Sequence, residues 1–118
     1  LARYVTTVQP LDPAGVAVLV RVHRPEDAAA GPRPPYFAVC ALTRDPGEPA
    51  VAHTHGLLAR GALSPEAVRD VQAAIFRQAA ALGFRRYGYE KVYTDGRVSV
   101  RARDIPAQFL RPDPDEVT

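Results

Sequence analysis

The chain contains no tryptophan, no methionine and one cysteine, Cys40. A single cysteine excludes an internal disulfide, so the fold must rest on its apolar core, and cytoplasm is the expected compartment. No apolar run approaches the ~18 residues of a membrane span, so no membrane partner is expected. The opening "LARYVTTVQP" lacks a charged start leading into an apolar stretch, so no secretory signal is expected either. The chain also lacks HExxH, GxSxG and any glycine-rich phosphate loop, which removes the chemistries those motifs carry.

The 118 residues suffice for one core and not for two, and a composition of 47% hydrophobic and 24% charged residues is that of a globular protein. A single domain is expected over residues 1–110, followed by a flexible acidic tail over 111–118. Residues 4–9 and 15–23 read as an antiparallel strand pair, with Val16, Val18, Val20 and Val22 on one side of the second. Four prolines and a glycine in "RPEDAAAGPRPP" suit a surface loop. "YFAVCALT" is apolar on both faces, as an interior strand would be. "AVAHTHGLLA" reads as a further strand interrupted by Gly56. Ser64 as cap, Pro65 at the first helical position and Gly83 past the end delimit a helix. Its stripe of Val68, Val71, Ile75, Ala79 and Leu82 calls for a sheet beneath it. The expected fold is α+β: a predominantly antiparallel sheet of about five strands with one long amphipathic helix packed on one face, in the order β-β-β-(β)-α-β-β.

The formal charge of +2 conceals an asymmetry: residues 85–103 carry six basic and two acidic side chains, and residues 111–118 one basic and three acidic. Within the basic segment, "EKVYTDGRVSVRARD" reads as a hairpin. Asp95-Gly96 suits a two-residue type I′ loop, which would set Tyr93 opposite Val98, Lys91 opposite Val100 and Glu90 opposite Arg101. Directly opposed side chains share a face. This register packs Tyr89, Lys91 and Tyr93 towards the helix and turns Arg97, Ser99, Arg101 and Arg103 to water, with Arg86 near their far end and Glu90 paired with Arg101. Arg86, Arg97, Arg101 and Arg103 are therefore the candidate binding residues for an acidic partner or a polyanion.

His53 and His55, two residues apart in a strand, point the same way. Apart from carboxylates, the ligand pool adds only His23 and Cys40. Zinc needs three or four ligands, so no metal is expected, His53 and His55 being the only candidates. The spacing resembles the His-hydrophobic-His motif of HUH endonucleases, but Thr54 occupies the middle and no tyrosine lies on the following helix. Cys40 reads as a small buried residue.

"AAIFRQAAALGFRRYGYEKVYTDGRVSVRARD", residues 73–104, resembles the closing part of some GNAT acetyltransferases, in which a helix leads through a Gly-Phe pair into a terminal hairpin. The resemblance implies acetyl-CoA held by backbone amides at the helix start. "LLARGALSPE" offers Arg60 and Gly61 there without the family's full signature. The expected function is a small non-enzymatic binding or interaction module, with a protein partner or self-association and no cofactor. The alternatives are nucleic-acid or other polyanion binding through the same arginines, and a divergent GNAT-like acyltransferase.

Overall fold

Alternating valines form the first half of the protein. In a computed structural model, which describes residues 4–61 and 63–110, β1 (Val5–Pro10), β2 (Ala17–His23), β3 (Ala38–Arg44) and β4 (Val51–Ala59) make an antiparallel meander. Val18, Val20 and Val22 of β2 and Ala38, Cys40 and Leu42 of β3 are buried on one face. Helix α1 (Pro65–Ala81) covers that face with Val71, Ala74, Ile75 and Ala79. Ser64 caps it by accepting the Ala67 amide, and the Phe84 amide returns to the Ala79 carbonyl past Gly83. β5 (Arg86–Val92) and β6 (Val98–Asp104) form the closing hairpin, Ile105 is buried in the core, and one short turn, α2 (Ala107–Leu110), follows. The strand order is β1-β2-β3-β4-β5-β6. No helix among the described residues is long and apolar enough to cross a membrane.

The α+β class, the capped helix and an antiparallel-rich sheet correspond to the sequence reading, but the described residues form a sheet of six strands and β5 runs parallel to β4. The parallel pairing follows from α1, which carries the chain back across the sheet between neighbouring strands. "AVAHTHGLLA" is a full strand because Gly56, at φ 52°, accommodates a bulge: His55 faces Ala41 and Leu58 faces Val39, leaving one extra residue in β4. The expected acidic tail, 111–118, lies outside the described residues.

The hairpin register corrects the sequence reading. Val92 faces Val98, Lys91 faces Ser99, Glu90 faces Val100, Tyr89 faces Arg101 and Tyr87 faces Arg103, one position away from the expected pairing. The loop has three residues. The Gly96 amide reaches the Tyr93 carbonyl at 3.0 Å and the Tyr93 amide reaches the Arg97 carbonyl at 2.9 Å. Only Gly96 takes a positive φ, 85°, whereas a type I′ loop would require one at Asp95 too. Asp95 instead accepts both the Arg97 amide and its Nε.

Candidate functional site

The one-residue shift moves every β6 side chain to the other face of the sheet. Arg97, Ser99, Arg101 and Arg103 lie on the same face as Tyr87, Tyr89, Lys91 and Tyr93, the helix side, although the three arginines remain exposed. The Arg103 guanidinium sits over the Tyr89 ring at 5.5 Å, and the Arg97 guanidinium over the Tyr93 ring at 4.8 Å. Arg101 donates to the Tyr93 hydroxyl at 2.7 Å. Ser99 and Arg101, both donating to this hydroxyl, hold the Tyr93 phenol below the ordinary tyrosine value.

Arg86 is not part of this group. It lies on the opposite face, within 3.3 Å of Asp104 and 3.6 Å of Glu48. The expected Glu90–Arg101 pair does not form, because Val100 stands opposite Glu90. The four arginines proposed as one surface are thus three on the tyrosine face and one behind it.

Between β4 and β5 the sheet divides. Val51, Ala52 and His53 pair with Arg86, Tyr87 and Gly88. Beyond the donation of the Thr54 hydroxyl to the Gly88 carbonyl at 3.1 Å, the strands separate. The gap opens at the carboxyl ends of two parallel strands joined by a helix, where α/β sheets commonly bind ligands. Helix α1 lies mainly over β1 and β2 and forms one wall of this corner. The result is a cleft of about 630 Å³, a size that suits a small molecule. Leu57 and Thr54 line it from β4, Gln72, Ile75 and Phe76 from α1, and Tyr87, Tyr89, Glu90, Lys91 and Arg103 from the hairpin. Phe76 and Tyr87 stack with centroids 4.9 Å apart. Cys40 lies at the floor, where burial pushes its thiol up to about 11, so it stays protonated at neutral pH.

His53 and His55 lie on the other face, away from Cys40. His53 Nε2 is 2.7 Å from an Asp45 carboxylate oxygen, and its ring occupies the space over Gly88, where an added Cβ would collide with the imidazole. His55 Nε2 is 2.7 Å from the Thr43 hydroxyl. Among the described residues, no group of three or more His, Cys, Asp and Glu side chains is placed to hold a metal. The hydrogen bond from His53 leads the interactions that lower the Asp45 carboxyl below its ordinary 3.8, followed by the Gly47 and Glu48 amides. A depressed carboxyl contributes stability above its unfolded value and loses it as pH falls through its folded value. Asp45→Asn is therefore expected to weaken the loss of stability on acidification below about pH 4, measured as melting temperature against pH.

His23, on the side of β2 opposite the buried valines, is nevertheless only 1% exposed. Its Nδ1 meets the Pro35 carbonyl at 2.7 Å and its Nε2 the Thr7 hydroxyl at 2.7 Å, tying the end of the proline-rich loop to β1. The wall residues Gln72, Phe76, Thr54 and Leu57 carry no motif. The signal that places them is the strand-helix-strand order, with Tyr87, Tyr89 and Lys91 alternating on the second strand. No protein-family model matches the chain, and no curated protein matches it in sequence.

Proposed function

We propose that this chain is a binding domain that takes a small anionic ligand with a planar or apolar portion into the cleft between β4 and β5. The observation that carries this reading is the placement of Arg103 over Tyr89 at the mouth of a cleft with aliphatic and aromatic walls. Leu57, Ile75 and Phe76 supply apolar contact, Tyr87 and Tyr89 supply ring faces, and Lys91 and Arg103 supply positive charge that exceeds the single carboxylate of Glu90. Coenzyme A belongs among the candidates through the GNAT resemblance, but the start of α1 is a poor pyrophosphate site. Pro65 has no amide hydrogen, Ser64 occupies the Ala67 amide, and Glu66 places a carboxylate in the first turn.

The reading is tested by thermal shift and titration calorimetry with adenine nucleotides, coenzyme A and aryl carboxylates. At least one anion is expected to raise the melting temperature, and its uncharged analogue is not. Gln72→Trp, which builds bulk into the cleft from an exposed helical position, should remove the shift. A panel without any shift would refute the assignment.

A second reading has its own support: Tyr89 and Tyr93 lie beside Arg97, Arg101 and Arg103 on one face, an arrangement suited to stacking bases of a single strand. An oligonucleotide binding far more tightly than its mononucleotide, with affinity falling as salt rises, would favour it.

A further inference from the structure

Among the described residues, no strand pairs with the outer side of β6. The Tyr93 amide bonds the Arg97 carbonyl, and the Ile105 amide bonds the Arg85 carbonyl, so the odd-numbered residues of β6 direct their backbone groups at β5. Val98, Val100, Ala102 and Asp104 therefore direct theirs away from it, along the edge. The Arg86 side chain reaches the Ala102 carbonyl at 3.4 Å, and the Val98 and Val100 amides and carbonyls lie beyond that contact. This edge has no proline and no bulge, two of the devices that block strand addition; its charged side chains, Arg101 and Arg103, set the sign of the strand it can accept.

The side chains flanking the edge separate by face. Arg97, Arg101 and Arg103 lie on one face; Val98 and Val100 lie on the other beside Val92, at 56%, 64% and 67% exposure. Arg97 is paired with Asp95 at 2.7 Å, while Arg101 and Arg103 have no carboxylate partner among the described residues. A second copy of β6 is a poor occupant. Two-fold antiparallel pairing centred on Ser99 sets Arg97 against Arg101, centred on Val100 sets Arg97 against Arg103, and centred on Arg101 sets that residue against itself. Like charges directly opposed are destabilising.

We infer that the free edge of β6 accepts an extended peptide in which acidic residues alternate with apolar ones, the acids facing Arg101 and Arg103 and the apolar side chains lying beside Val98 and Val100. Main-chain bonds to Val98 and Val100 hold the added strand, and the alternation selects its sequence. This surface does not depend on a cleft ligand. Val100→Pro acts at the edge and leaves the cleft walls in place, so the two readings fail separately.

The test uses the full chain and a fluorescein-labelled eight-residue peptide alternating glutamate and valine, read by anisotropy, with a lysine-valine peptide as control. The glutamate peptide is expected to bind at least tenfold more tightly. Val100→Pro removes a donor that β5 does not use, so it should abolish binding while the melting transition persists. Should that variant fail to fold, Val100→Lys serves instead, placing charge on the apolar side of the edge. Arg101→Glu combined with Arg103→Glu should transfer the preference to the lysine peptide. Equal binding of the two peptides, no binding of the glutamate peptide, or binding unchanged by both edge variants would overturn the inference. So would a single-stranded oligonucleotide that displaces the peptide and is itself insensitive to the edge variants, or a dimer formed by the free protein that the edge variants abolish.

Discussion

Replacing Leu42 by alanine is expected to lower the unfolding free energy by about 3 kcal/mol and the melting temperature by roughly 10–20 °C. Leu42 is among the largest fully buried side chains, at 1% exposure. It stands between Val18 on β2 and Thr54 on β4, on the face that α1 closes. Truncation removes apolar contacts and leaves a cavity that close-packed neighbours refill only in part. Val100→Ala is the matched control. Val100 is exposed, so its loss should stay within about 0.5 kcal/mol. Denaturant titration of both variants checks the contrast, and a Leu42→Ala cost below 1 kcal/mol would mean that this face is not sealed.

Reversing two charges that have no carboxylate partner among the described residues, Arg101→Glu with Arg103→Glu, should weaken the best anionic ligand from the cleft panel by a hundredfold or more. A hydrogen bond to a charged group contributes about 1.5–3 kcal/mol, and 1.4 kcal/mol is a factor of ten. Arg103 lines the cleft and Arg101 stands next along that face. Reversal replaces attraction by repulsion, so the effect should exceed that of neutral replacement and shrink with added salt. Both side chains are exposed, so the melting temperature should hardly move. The Tyr93 phenol gives an independent readout: with its Arg101 donor gone, its titration by ultraviolet absorbance should shift upward. Retained ligand affinity with a shifted phenol would remove these arginines from the binding site.

Much of the fold was written in local chemistry. Ser64, Pro65 and Gly83 delimit α1 by capping, φ restriction and chain reversal, and the even-numbered valines of β2 mark its buried face. The hairpin register was not legible at the same scale. Asp-Gly fits a two-residue loop with two positive φ angles and also a three-residue loop in which glycine alone has one. The choice depends on Asp95 engaging Arg97, a preference too small and too local to read from residue types. That single step placed the arginines with the tyrosines and the valines on the opposite face. The cleft was hidden for another reason: its walls come from β3, β4, α1, β5 and β6 and converge only through the parallel neighbour relation of β4 and β5. The burial of His23 was not legible because the loop that meets it, at the Pro35 carbonyl, is twelve residues away in sequence.

The separation of β4 from β5 gives the hairpin the mechanics of a cantilever. It is clamped at its root by three parallel residue pairs and the Thr54 hydroxyl. From Gly88 to Val92 the free beam extends about 13 Å at strand rise, so a tilt of about 10° at the root displaces its end by about 2 Å. The aperture of the cleft therefore scales with angle at the anchorage, where stiffness sets how far it opens.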